Sequence, residues 1–150
     1  MSDLNDDARL RAAIETFYFA YREFTAGPDR ILAQRGLSRV HHRILYFVGR
    51  QPGLAVKTLL RLLAITKQAL HAPLRQLIEM GLVLSTADNA DGRVRSLRLS
   101  GEGLRLEARL TATQMALLGR AFERAGAGSG ERWMAVMEAV AAPAEDAAGK

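Results

Sequence analysis

The feature that most narrows what this chain can become is the stretch LLRLLAITKQALHAPLRQLIEMG, residues 59–81. Leu59, Leu60 and Leu63 fall on one side of a helix. Only Ala64 and Ile65 then separate that helix from Thr66, a natural N-cap. Leu70, Leu74 and Leu77 follow at spacings of four and three, which places them on one inward face. Gly81 supplies the residue type that closes a helix. Two amphipathic helices joined by so tight a turn leave little freedom in how the chain is folded here.

The flanking segments extend the pattern. Ser38 reads as an N-cap, and Val40, Ile44, Phe47 and Val48 mark a face of a further helix that ends at Gln51-Pro52-Gly53. Leu54-Ala55-Val56 leads into the helix carrying Leu59. After Gly81 come two strand-like runs, Leu82–Ala87 and Val94–Ser100, around the turn-forming Asp88-Asn89-Ala90-Asp91-Gly92. A two-stranded hairpin is marginal alone and must lean on the helices before it. The order helix, helix, tight turn, helix, hairpin is that of a mainly α winged helix-turn-helix with a two-stranded β wing, spanning about 38–102.

Outside this lobe, Leu10, Ala13, Ile14, Phe17, Tyr18, Tyr21 and Phe24 recur at helical spacing over 7–25. Gly27-Pro28 is expected to stop that helix, with a short helical turn over 29–35 ended by Gly36. A long amphipathic helix is expected from Gly101 to about Ala125, then a flexible break over 126–130. A last helix over about 131–142 carries Trp133, Val136, Met137 and Val140, before a frayed tail, 143–150. The 150 residues suit one domain. The aromatic face of helix 7–25 is too wide to stand alone and requires a partner helix, in this chain or another.

Composition removes several functions. There are no cysteines, so disulfides, thiolate catalysis and cysteine-bound zinc are excluded. With three histidines, and His41 and His42 pointing about 100° apart on a helix, a metal site is not expected. Gly126–Gly130 lacks the following Lys-Ser/Thr and the preceding strand of a phosphate loop. No Ser/His/Asp motif is recognisable, so neither catalysis nor a cofactor is expected. No apolar run reaches membrane-spanning length, and MSDLNDDARLR is acidic where a signal peptide is basic. A cytoplasmic protein is the expectation.

Charge supplies the positive argument. Residues 30–109 hold 14 Lys/Arg against 5 Asp/Glu, a net +9, whereas the flanks hold 7 against 11, a net −4. A basic middle between acidic ends points to a polyanion partner for the middle. The plain alternative is a solvated arginine-rich surface. A helix fits the major groove of double-stranded DNA, and its first residues reach base edges. The positive end of its dipole then lies near phosphates. Lys67, Gln68, His71 and Arg75 point largely outward from the helix that begins at Thr66. Leu97 and Leu99 share the core side of the second strand. Arg93 sits at the hairpin tip, followed by Arg95, with Arg98 on the opposite side. A guanidinium at that tip can enter an adjacent minor groove, and Asp91 is placed to orient it. A merely solvated hairpin tip is the alternative.

The chain resembles the MarR family of bacterial transcription regulators over nearly its whole length. LLRLLAITKQAL (59–70), LIEMGLV (77–83) and DGRVRSLRLSGEG (91–103) carry the resemblance. The last of these matches the family's Asp-x-Arg wing pattern running into Leu-Thr/Ser-x-x-Gly. The resemblance implies a homodimer held by helices about 7–25 and 101–142, a palindromic operator read one half-site per protomer, and, in many members, repression relieved by a small ligand. The expected DNA contacts are Lys57, Thr66, Lys67, Gln68, His71, Arg75, Arg93 and Arg95. Phe17, Tyr21, His42 and Tyr46 lie near the usual ligand cleft. Simple core and dimer packing is the other reading of those four, with His42 a packed, hydrogen-bonded ring. Two departures are visible. Ala64 stands where the family turn often has glycine, and Pro73 lies inside the recognition helix, where a kink or local widening near Ala69–Pro73 is expected. A winged-helix module that binds a protein rather than specific DNA is the competing function.

Overall fold

The computed structural model describes residues 3–87 and 94–143. Along the chain run α1 (Asp3–Ala33), α2 (Arg39–Arg50), β1 (Leu54–Ala55), α3 (Val56–Leu63), α4 (Lys67–Glu79), β2 (Val83–Ala87), β3 (Arg95–Leu99), α5 (Gly101–Ala125) and α6 (Ser129–Ala141). They fall into two compact units, Met1–Gln114 and Met115–Lys150.

The first unit is built around leucines that the helical spacing placed inward. Leu59 of α3 and Leu70, Leu74 and Leu77 of α4 are all buried, together with Ile44, Leu45 and Val48 of α2. Leu97 of β3 is fully buried, and Leu99 packs against the same core. The turn between α3 and α4 is made by Ala64 in the left-handed region, φ 53° and ψ 40°, a conformation glycine adopts at less cost than alanine. Thr66 caps α4 by accepting a 3.0 Å hydrogen bond from the Ala69 N–H. Pro73 sits inside α4, yet the helix keeps α form from Lys67 to Glu79. Leu70 and Leu74 are both buried. Apolar packing therefore holds the turn where the proline removes a backbone donor.

The sheet has three strands, not the two expected, in the order β1-β3-β2 and antiparallel throughout. β2 and β3 form the hairpin, with Ser85 opposite Leu97 and Leu84 opposite Arg98. Leu54 lies opposite Leu97 on the other edge. Gly53, at φ +88°, turns the chain after Pro52 and donates its N–H to the Leu97 carbonyl at 2.9 Å. Two residues are too few to show strand alternation, so β1 leaves no periodic signal.

α1 also runs further than expected. Gly27-Pro28 does not end it, and the expected short helix over 29–35 is its continuation to Ala33. Proline cannot donate to the Phe24 carbonyl four residues back. That carbonyl instead accepts from Gln114 Nε2 at 3.4 Å. A Cβ at Gly27 would come within 3.1 Å of Thr113 Cβ, so the bare backbone admits α5 at close range. The two residues that break helices are here the two that fit α1 against α5. Burial starts at Phe24; every residue from Asp6 to Glu23 is exposed.

The wing joins α5 through Ser100. Its Oγ donates to the Gly81 carbonyl at 2.6 Å and accepts from the Gly103 N–H at 3.0 Å. A Cβ on Gly103 would overlap the Leu82 carbonyl oxygen.

In the second unit, the end of α5 and α6 form a helical hairpin. Its turn is shorter than expected. Gly126 and Gly128 take positive φ, +100° and +79°, and Ser129 and Gly130 already belong to α6. Ser129 Oγ donates to the Phe122 carbonyl at 2.9 Å, and Phe122 meets Trp133 edge-on at 5.6 Å. Met134, Val136 and Val140 remain exposed. Among the described residues no helix is long and apolar enough to cross a membrane. Residues 144–150, most of the expected tail, lie outside the described residues.

Candidate nucleic-acid interface

The first two turns of α4 stand out from the core. Thr66, Lys67, Gln68 and His71 are exposed, while Leu70 between them is buried. The first turn of α4 contains no acidic residue. The partial positive charge of its N-terminus and the Lys67 ammonium therefore add without local compensation. The helix tip offers a donor/acceptor amide at Gln68 and cationic or hydrogen-bonding groups at Lys67 and His71. Lys57, in the first turn of α3, is also exposed.

Two of the expected arginines have partners. Arg75 Nε lies 3.0 Å from Glu79 Oε1. Both side chains are well exposed, so the pair is weak and a phosphate can replace the carboxylate. Arg95 is tied down across the wing, donating from Nε to Ser85 Oγ at 2.8 Å and from Nη2 to the Ser85 carbonyl at 3.1 Å. Arg98 is exposed on the outer face of β3. Asp91 and Arg93, the expected wing-tip pair, lie outside the described residues.

The two histidines of α2 part company. His42 is buried, and burial pushes its imidazole below the ordinary value of 6.5. Arg43 acts in the same direction, while Glu107 and Asp29 partly oppose it. Its ring makes no hydrogen bond among the described residues, contrary to the expectation for this residue. The hydrogen-bonded ring is His41. His41 Nδ1 lies 3.0 Å from the Ser38 N–H and 3.1 Å from Ser38 Oγ, and its Nε2 lies 2.9 Å from Gln76 Oε1 on α4. Accepting the Ser38 N–H leaves Nδ1 without a proton, so Nε2 carries it and donates to Gln76. Sequence reasoning missed this bridge. A signal existed in the Ser-x-x-His spacing, where histidine takes the place that glutamate or glutamine holds in a capping box.

The four residues considered for a ligand are dispersed among the described residues. Phe17 and Tyr21 line a shallow, open apolar depression of about 370 Å³ on α1, with Ile14 and Tyr18. Tyr21 Oη accepts from Arg43 Nη2 at 3.2 Å, and the Arg39 guanidinium lies 5.6 Å from the Tyr21 ring centre. His42 points into the core, and Tyr46 packs edge-on against Phe47 at 5.4 Å. Neither lines the depression. Among the described residues, no group of three or more His, Asp or Glu side chains is arranged to hold a metal ion.

A capped, cation-tipped helix on a helix-turn-helix scaffold with an adjoining three-stranded wing defines a winged helix-turn-helix protein. The chain belongs to the MarR family, whose model matches residues 35–94. Over 138 residues it is 44% identical to the HTH-type transcriptional regulator PetP of Rhodobacter capsulatus, covering 92% of this chain and 83% of that one. Solved structures share the fold. A MarR family transcription regulator, SP03579, superposes with a TM-score of 0.77 at 20% identity over 91% of each chain. NadR in complex with 4-hydroxyphenylacetate gives 0.70 at 21%, covering 84% of this chain and 87% of that one. The MepR–DNA complex of S. aureus gives 0.68 at 19%, covering 84% and 93%.

Proposed function

We propose that this protein is a homodimeric, sequence-specific DNA-binding transcription regulator that places α4 in the major groove of each half of a palindromic operator. The observation that carries the reading is the exposed set Thr66, Lys67, Gln68 and His71 on a helix whose opposite face is locked into the core. An outward tip on a rigid base meets the requirement for reading base edges. Gln68 bonds an adenine edge, Lys67 reaches guanine or phosphate, and His71 and Arg75 extend the contact along the groove. Lys57 and Arg95 neutralise phosphates on either side, and Arg93, oriented by Asp91, enters the neighbouring minor groove. PetP, by its name a transcriptional regulator, and MepR, seen on DNA, support the assignment. A small-molecule effector releases the operator by altering the separation of the two α4 helices. The ligand complex of NadR is the support for an effector at all, and we assign Phe17, Tyr21, His42 and Tyr46 to that site from the family resemblance. The setting is the cytoplasm, where the operator is, and the protein is not an enzyme.

Selection from a random duplex pool tests the reading, with enrichment of a two-fold symmetric sequence as the expected outcome. On that duplex Gln68→Ala loses discrimination at one base position by about tenfold. Arg93→Ala weakens binding to every sequence and lowers the salt slope by about one. If both variants bind the selected duplex as wild type does, the residue assignment is wrong. If the pool yields no enriched sequence, so is the function.

A further inference from the structure

The core leucines hold α4 in place and set its rotation about its own axis as closely as apolar packing allows. Apolar contact is non-directional, so the buried face of Leu70, Leu74 and Leu77 sets the roll less sharply than a hydrogen bond of fixed geometry does. A roll of about 10° moves a side-chain end about 5–6 Å from the axis by about 1 Å. That displacement is enough to spoil a paired hydrogen bond to a base edge. A directional contact adds to that packing the precision that base reading needs. By helical periodicity Gln76 projects on one flank of the leucine face, and Lys67, His71 and Arg75 project on the other. Gln76 is the residue of α4 that His41 engages, at 2.9 Å. His41 is itself held from the other side of its ring by the Ser38 N–H, at 3.0 Å, and is 7% exposed. The chain Ser38 N–H to His41 Nδ1, then His41 Nε2–H to Gln76 Oε1, ties the start of α2 to the far flank of α4.

We propose that His41 is a positioning residue for DNA reading, and that its ring, pinned at Ser38, sets the roll of α4 through Gln76. The inference rests on the reading of α4 as the base-contacting helix. It requires an acceptor at position 76, because the ring nitrogen facing that position is a donor. Glutamate at 76 preserves the link; leucine abolishes it and leaves a buried N–H unpaired.

The test compares full-length wild type, Gln76→Leu and Gln76→Glu on the duplex enriched by wild type and on a scrambled duplex of equal length, across a salt series. For Gln76→Leu, the ratio of specific to scrambled affinity is expected to fall by about fivefold to tenfold, the worth of a lost directional contact. Its salt slope should stay that of wild type, since no phosphate contact is touched. Gln76→Glu keeps the ratio within about twofold, although its added negative charge weakens binding to both duplexes. A merely structural role would lower thermal stability without changing the ratio. Nitrogen-15 spectra of the wild-type His41 ring give a check that does not depend on a variant folding. They should show a protonated Nε2 and a bare Nδ1, and the reverse tautomer overturns the proposal. A wild type that prefers its duplex together with a Gln76→Leu ratio within about twofold of it overturns the role of His41 alone. A wild type with no preferred duplex overturns the DNA reading and this role with it.

Discussion

At the scale of single residues, the adjoining histidines show how one residue type takes two jobs from its surroundings. His41 is satisfied at both ring nitrogens, whereas His42 is buried against the core with its proton affinity lowered. The second fact has a consequence for stability. In the unfolded chain the ring of His42 takes up a proton near its ordinary value of 6.5; in the folded chain it does so only at lower pH. The unfolded state thus binds more protons in the window between those two values, and stability rises with pH across it. The contribution is complete above the unfolded value and is lost as pH falls through the window. Thermal melts at about pH 7.5 and 5.5 should show a larger drop for wild type than for His42→Gln, whose side chain does not titrate. Equal drops refute the assignment. The sequence announced a histidine pair and an α2 face, but not which ring found a partner. Gln76 is 35 positions away, and only the packing of α2 on α4 brings it within reach. The outward set Lys67, Gln68, His71 and Arg75 was legible because it depends on helical period alone.

At the scale of elements, the same division holds. α2, α3, α4, β2, β3 and α5 were readable from periodicity, caps and turn residues, since those signals are local. The continuation of α1 through Gly27-Pro28 was not. The compensating groups, Thr113 and Gln114, lie on α5, and Gln114 is 90 positions from the carbonyl it serves. β1 was hidden by its brevity. The joint between wing and α5 yields a prediction at this scale. Gly103 lies where the first turn of α5 meets the backbone at Leu82, and any Cβ there overlaps the Leu82 carbonyl oxygen. The obstacle is backbone, which cannot swing aside as a side-chain end does. Gly103→Ala should therefore cost about 3 kcal/mol or more, despite the better helix propensity of alanine. Chemical denaturation measures it. A loss under about 1 kcal/mol would mean that β2 and α5 separate easily and that the close approach does not define the joint.

At the scale of the whole molecule, the question is what the exposed part of α1 is for. From Asp6 to Glu23 every residue is exposed, although Tyr21 meets Arg39 and Arg43 of α2, and Leu10, Ile14, Phe17 and Tyr18 are each more than half exposed. A contiguous exposed apolar face of this kind marks an interaction site. Covering each large apolar side chain is worth about 1.5–3 kcal/mol. A second copy of the chain is the partner that the proposed two-fold operator calls for. Phe17 lies in the middle of the face, in the depression with Ile14, Tyr18 and Tyr21. Phe17→Glu would leave a carboxylate in that interface without a partner. The variant should sediment as a monomer at concentrations where wild type is a dimer. Its first-unit core should survive, because Phe17 contributes nothing to it. Affinity for the two-site operator should fall by about 100-fold or more, since each α4 then binds alone and the gain from linking two half-sites disappears. Binding to an isolated half-site should be nearly unchanged. A variant that stays dimeric would show that α1 is not the contact. One that becomes monomeric yet holds the operator as tightly as wild type would show that pairing is not how this protein reads DNA.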